Sequence, residues 1–224
     1  MEKPEESMKA LIILSGGLDS TTLLYDIVSR GYEVTAISFD YNQKHSREVY
    51  YAIETCLMLK VPHRVYNLEV LNSLAPSSLT RCEIEVPDGH YAASNMKSTV
   101  VPNRNMVLIA LAASYAISRG INTILYGAHS GDHAIYPDCR PEFLEAMKSV
   151  LKLCDYTSIE LDAPYLNLTK GDILRIGLRL GVDYSKTWTC YNGRELACGK
   201  CGSCVERLEA FEQNNAKDPL RYEN

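Results

Sequence analysis

LIILSGGLDSTTLLYDIVSRG, residues 11–31, is the stretch on which the fold turns. Residues 11–14 are a short, wholly apolar run, the pattern of a strand buried on both faces. Ser15, Gly16 and Gly17 interrupt it. Asp19 and Ser20 are N-cap residue types, and Leu23, Leu24, Ile27 and Val28 then share one helical face up to Gly31. A strand, a glycine turn and a helix aim several backbone N–H groups at one spot. The positive end of the helix dipole lies behind them, so an anion can sit there. Ser15, Ser20 and Thr21 can add hydroxyl donors, and Asp19 can cap the helix or hold Mg²⁺. No Lys follows the glycines, which excludes G-x-x-x-x-G-K-[ST], and their spacing excludes G-x-G-x-x-G. The plainer reading of the same residues is a strand-to-helix turn closed by a capping Asp.

The 224 residues suit one domain with a small appendage, and an apolar fraction of 46% is enough for a sizeable core. A formal net charge of −5 argues against an electrostatically driven nucleic-acid binder, and no nucleic-acid partner is expected. No apolar run approaches a membrane span, and MEKPEESMKA lacks an apolar signal core. The location expected is cytoplasmic, with no membrane partner and with residues 1–8 as a flexible tail. There, the eight cysteines should be thiols or metal ligands.

Residues 33–39 read as a second buried strand, and 40–48 lead from its end into a helix carrying Val49, Ala52, Ile53, Cys56 and Leu57. Residues 63–68 are a third strand, and 71–98 read as a long loop over the sheet edge. Met106, Ile109, Ala110, Ala113 and Ile117 mark a helix that Gly120 ends. Strands at 122–126 and 158–161 flank a helix running to about Leu151. Thr169 and Asp172 form a short capping box for a helix closed by Gly181. Residues 205–213 are the last helix, and from Asn214 the chain is expected to be loosely held. This alternation predicts an α/β, Rossmann-like parallel sheet with helices on both faces. Ligands of such sheets bind beyond the C-terminal strand ends, where 15–21, 40–48 and 127–132 all fall.

Cys190-x7-Cys198-x2-Cys201-x2-Cys204 gathers four thiols, with Gly199 and Gly202 allowing the tight turns between them. That set fits a closed, structural, tetrahedral Zn²⁺ site, with an iron–sulfur cluster as the rival. It sets a zinc-binding C-terminal region of helix and loop, 186–224, beside a main domain at 9–185. Cys56 and Cys154 look like small core residues. Arg104 and Arg140 can clamp a carboxylate or phosphate, and Asp138 can pair with a base edge or orient Arg140. His45 and Glu48 are three apart, on one helix face near the second strand's exit.

SGGLDS resembles the PP-loop of the ATP pyrophosphatases, which split ATP between its α- and β-phosphates. Taken together, SGGLDSTT, FDYNQKHSRE, VPNRN, YPDCRPEF and TCYNG with the cysteines after it resemble the 7-cyano-7-deazaguanine synthase family. SSLTR at 77–81 fits too, and the match runs from about Lys9 to the last cysteine. Asn42 and Lys44 depart from the family's usual Gly and Arg, and GAHSGDHAI is a variant loop.

The resemblance implies an adenine nucleotide alpha hydrolase-like fold and ATP as cosubstrate with Mg²⁺. The nucleotide would lie on Leu14, Ser15, Gly16, Gly17, Leu18, Asp19, Ser20, Thr21, Thr22, Leu23 and Leu24. The carboxylate of 7-carboxy-7-deazaguanine would attack the α-phosphate to give an acyl-adenylate. Ammonia would give the amide, and a second activation the nitrile. Asp132, Lys170, Arg140 and Arg104 would be catalytic. Tyr41, Gln43, His45, Arg104, Asp138 and Arg140 would contact the substrate. Relatives suggest a homodimer, and the lack of a glutaminase portion suggests free ammonium as nitrogen source. Other PP-loop enzymes, such as an NH₃-dependent amide synthetase or a tRNA-thiolating enzyme, share part of this pattern. A zinc-ribbon binding module is the non-enzymatic alternative.

Overall fold

The apolar run at residues 11–14 feeds the middle of a five-stranded sheet of order β3-β2-β1-β4-β5. The computed structural model describes residues 8–90 and 93–223, so the expected tail lies outside the described residues except for Met8. The strands are β1 (Lys9–Ile13), β2 (Glu33–Asp40), β3 (His63–Asn67), β4 (Thr123–Leu125) and β5 (Glu160–Asp162). All pair in parallel, with Leu11 opposite Thr35 on one side and Ile124 on the other. The helices are α1 (Leu18–Ser29), α2 (Arg47–Leu59), α3 (Glu69–Leu74), α4 (Arg104–Arg119), α5 (Pro141–Leu151), α6 (Lys170–Leu180) and α7 (Gly202–Gln213).

Alternation along β1 divides the core. Leu11 faces one way, onto Ile109, Ala113, Leu144 and Met147 of α4 and α5. Ala10 and Ile12 face the other way, onto Leu23 and Leu24 of α1, Ile173 and Leu174 of α6, and Ala210 and Phe211 of α7. The chain winds outward from β1 to β3, then crosses to β4 on the far side of β1. The order therefore reverses between β1 and β4, which opens a crevice at their C-terminal ends.

Several sequence expectations need adjustment. Helix α1 starts at Leu18 with Gly17 at its N-cap, so Asp19 and Ser20 lie in the first turn and do not cap it. Helix α2 buries Val49, Ala52, Thr55 and Cys56, leaving Ile53 38% and Leu57 70% exposed. Its apolar stripe is wider than the face that the sheet covers. Helix α4 likewise buries Ile109, Ala112, Ala113 and Ala116, while Met106 stays 42% exposed. Residues Asn95–Arg119 are long and apolar enough, by length and composition, to cross a membrane. Their inner face packs on the sheet, as in a core helix.

The stretch expected as a loop holds α3 and a 3-10 turn, Ser94–Thr99. Leu71, Leu79 and Met96 are buried from it, and Gly89 N–H donates to Lys200 O at 2.9 Å. Tyr91, at the end of its VPDGHY segment, lies outside the described residues. Cys154 is exposed, not a core residue, because the chain turns outward after α5 ends at Leu151.

The C-terminal stretch is not loosely held. Arg207 of α7 is fully buried, and its guanidinium bonds both Asp218 oxygens at 2.7 and 3.0 Å. It also donates to Thr187 Oγ1, Thr189 Oγ1 and Tyr184 O, at 2.8, 3.0 and 3.0 Å. Tyr222 OH donates to Asp218 at 2.6 Å. One guanidinium thus joins α7, the segment before the cysteines and the chain end, with its donors satisfied. Asp218→Ala strands this charge and is expected to cost about 3–5 kcal/mol. Denaturant unfolding checks this, and a loss below about 1 kcal/mol would contradict it.

Candidate active site

The loop after β1 is shaped by one glycine. Gly16 has φ +93°, and a Cβ on it would overlap the carbonyl of Glu48 in α2. This contact brings the start of α2 against the loop. From the other side, Trp188 N–H donates to Gly16 O at 3.1 Å. So held, the Ser15 and Gly16 amides donate to Ser20 Oγ at 3.2 and 3.3 Å, and the Gly17 amide donates to Ser15 Oγ at 3.1 Å. Successive N–H groups therefore converge on hydroxyl oxygens, as they would on an anion's oxygens. The first-turn amides of α1 lack intrahelical acceptors and face the same way.

Ser15, Gly17 and Ser20 of this loop, but not Gly16, line a cavity of about 210 Å³ at the C-terminal ends of β1 and β4. Leu14, Ser15, Gly17, Leu18, Asp19 and Ser20 form one wall. Gly127 and Ala128 after β4 form the next, and a Cβ on Gly127 would lie 3.2 Å from Ser20 N. Phe39, Tyr41, Leu108, Tyr136 and Tyr191 make an aromatic and apolar side. Tyr136 OH bonds Thr99 Oγ1 at 2.7 Å and Tyr191 OH at 3.2 Å, joining the strap before α4 to the cysteine region. A second hollow, at the opposite strand ends near Lys9, His63, Arg64 and Arg119, does not contact this loop.

The cavity carries cations at two places. Lys170, the first residue of α6, is 6% exposed. It lies 2.6 Å from Glu206 and 3.4 Å from Asp19. Burial alone would lower its pKa, but Asp19, Glu206 and Asp132 raise it well above the usual lysine value. Arg104, the first residue of α4, donates to Tyr41 OH at 3.4 Å. Among the described residues, no carboxylate lies within ion-pairing distance of it.

His129 Nδ1 accepts from Gly131 N–H at 3.1 Å, which leaves the neutral ring's proton on Nε2. Nε2 lies 3.8 Å from Asp19 and 3.7 Å from Asp132. Gln43 and His45 are buried in the wall, and Gln43 Oε1 accepts from Tyr41 N–H at 3.0 Å.

Other expected site residues lie elsewhere. Thr22 Oγ1 donates to Leu18 O, Leu23 and Leu24 belong to the core, and Thr21 is buried outside the cavity lining. A helix turns these residues away from the face that its first turn presents. Arg140 is exposed, with Nε donating to His133 O at 2.8 Å. Asp138 Oδ2 accepts Asn105 N–H at 2.9 Å, a capping contact for α4, whose own N-cap Asn103 makes none. Neither Arg140 nor Asp138 lines the cavity.

Residues missed from the sequence include Glu206 and Tyr191. Glu206 shares a helix with Cys204, its only signal, and Tyr191 follows Cys190 within the TCYNG segment, where it was not singled out.

The four Sγ atoms of Cys190, Cys198, Cys201 and Cys204 lie within 4.8 Å of one another, and all four residues are buried. Tetrahedral Zn–S bonds of about 2.3 Å need S–S edges of about 3.8 Å, so the donor set fits. Backbone N–H groups of Cys198, Lys200 and Cys201 donate to these sulfurs at 3.3–3.4 Å, which favours thiolates.

Residues 9–215 match the family of queuosine biosynthesis protein QueC. Over 216 residues the chain is 61% identical to the 7-cyano-7-deazaguanine synthase of Methanoregula boonei, covering 96% of this chain and 100% of that one. It is 58% identical to that of Caldicellulosiruptor saccharolyticus, with 96% of each chain covered. A 4-thiouridine synthetase, solved with RNA and bound ATP, has TM-score 0.53 at 20% identity. That match covers 92% of this chain and 50% of that one. NMN synthetase from Francisella tularensis has TM-score 0.50 at 16% identity, covering 96% of this chain and 79% of that one. These structural likenesses establish a shared fold. The sequence matches carry more: this chain belongs to the QueC family of 7-cyano-7-deazaguanine synthases.

Proposed function

We propose that the cavity joins ATP to the carboxylate of 7-carboxy-7-deazaguanine, and that ammonia then displaces AMP to give an amide. A second activation of the amide, with loss of water, yields the nitrile. A carboxylate is a poor electrophile at neutral pH, and adenylation turns one of its oxygens into part of a good leaving group. The observation that carries this reading is the pairing, in one cavity, of a converging set of loop amides with two separate cations, Lys170 and Arg104. Joining two anions needs such a pair of sites.

The amides of residues 15–20 bind the β- and γ-phosphates, and Lys170 neutralises charge as pyrophosphate leaves. Arg104 takes the substrate carboxylate, and Tyr41, Tyr136, Tyr191 and Phe39 enclose the deazaguanine rings. Gln43 orients Tyr41 in that wall. Asp19 Oδ1 is buried without a partner among the described residues, the oxygen type that Mg²⁺ takes, and Asp132 stands beside it across His129 as a second donor. Mg²⁺ there would offset phosphate charge. Cys190, Cys198, Cys201 and Cys204 hold a structural Zn²⁺, because a closed, buried Cys₄ set leaves no open position for substrate. The enzyme works on small molecules in the cytoplasm, as a homodimer, with free ammonium as nitrogen source.

With ATP, ammonium and the deazaguanine acid, AMP and pyrophosphate should form in equal amounts, both dependent on the acid. ADP and phosphate as products, or turnover supported by glutamine alone, would contradict the proposal. Chelating Zn²⁺ should release amides of residues 189–206 to hydrogen exchange before those of β1 and α1. Simultaneous loss of protection across the sheet would show that the metal supports more than its own region.

A further inference from the structure

Three carboxylates line the cavity: Asp19, Glu48 and Asp132. Asp19 is paired with Lys170. Asp132 is engaged in the capping box of the turn Ser130–Ala134, accepting from His129 N–H. Glu48, 12% exposed, has a different neighbour: His45 Nε2 at 3.8 Å. His45 is itself 3% exposed, lines the cavity, and its Nδ1 has no partner among the described residues. Glu48 also borders the phosphate loop, since a Cβ on Gly17 would lie 3.8 Å from its Oε1. A carboxylate without a bound cation and an imidazole with an unused nitrogen thus stand together where the nucleotide reacts.

We propose that Glu48 and His45 form the ammonium subsite, in which the Glu48 carboxylate takes a proton from NH₄⁺ and releases NH₃ for attack. The assignment rests on the adenylation reading above. Ammonium has no lone pair and cannot attack until it is deprotonated. NH₄⁺ and the carboxylate become NH₃ and a carboxylic acid. The nitrogen lone pair forms the C–N bond, and the acyl C–O bond breaks onto the phosphate, so that AMP leaves. The surplus proton on the new amide nitrogen leaves on the AMP phosphate, and solvent later takes the proton from Glu48.

The surroundings favour this transfer. Burial raises the Glu48 pKa well above the usual carboxylate range, Arg104 and Lys170 oppose that rise, and Asp19 adds to it. Where burial removes water, as around the Glu48 carboxyl, the neutral pair of acid and amine is preferred to the ion pair. Burial, then Arg104, pushes the His45 pKa down to about 3, so the ring stays neutral and accepts a hydrogen bond from ammonium without competing for its charge. The charged groups facing Glu48 are Arg104 of α4, Asp19 of α1 and Lys170 of α6.

The test compares native protein and Glu48→Gln with the deazaguanine acid, ATP and Mg²⁺. Acid-dependent ATP–pyrophosphate exchange should persist in the variant, while ammonium-dependent amide formation falls by about 100-fold or more. Below neutrality, the variant's rate at fixed total ammonium should rise about tenfold per pH unit, following dissolved NH₃, while the native profile is flatter. Hydroxylamine, neutral at pH 7 and in no need of a base, should give the hydroxamate with both proteins. Unchanged ammonium turnover, an equal loss with hydroxylamine, or a raised Mg²⁺ requirement for exchange would overturn the assignment. If Glu48→Gln loses exchange, Glu48→Ala with added formate decides: restored ammonium turnover supports the subsite, and none overturns it. Absence of exchange in the native protein would sink the adenylation reading itself.

Discussion

The molecule is built around the contact between Gly16 and the Glu48 carbonyl. Only a residue without a Cβ, tolerant of φ +93°, can lie there. That contact draws the start of α2 onto the loop and turns the amides of residues 15–17 inward. The rest of the site is arranged about this cradle. Strand β1 supplies a rigid base because it is buried on both faces. Helix α1 adds its dipole, and the loops after β2 and β4 close on either side. A parallel sheet whose order reverses between β1 and β4 leaves room there for a ligand.

The cysteine region is tied into this site and is more than an appended staple. Trp188 holds Gly16 from one side. Helix α7, which begins beside Cys201, carries Glu206 against Lys170 at 2.6 Å. Glu206 also occupies the space where Gly131 would carry a side chain. The position of Cys204 is thus passed over half a helical turn to the lysine beside the loop after β1. Arg207, the next residue, anchors the same helix through Asp218. The four sulfurs of the region are themselves buried.

What could be read from the sequence was what depends on close neighbours in the chain. The glycine loop, the Thr169–Asp172 cap and the four cysteines are each compact patterns; the cap and the cysteine cluster have their expected form here, while Gly17 takes the N-cap of α1 in place of Asp19 or Ser20. The Arg207–Asp218 pair is only eleven residues apart, yet nothing local marks Arg207 as buried; it is enclosed by Tyr184, Thr187 and Thr189 of the preceding segment and by Asp218 of the chain end. The Lys170–Glu206 pair crosses between helices and was beyond reach for the same reason. Arg140, a charged residue between two prolines, reads as a rigid clamp; in the structure its Nε donates to His133 O, outside the cavity lining. Thr21 to Leu24, which the resemblance implied for the nucleotide, are buried on α1, with Leu23 and Leu24 in the core.

The cradle is tested most directly by a crystal structure with α,β-methylene-ATP, which cannot be split at the bond in question. The account expects β- and γ-phosphate oxygens within about 3 Å of the amides of residues 16–20, with the Ser15 and Ser20 hydroxyls turned onto them. Phosphates bound elsewhere, with both hydroxyls still holding the loop amides as they do here, would contradict it.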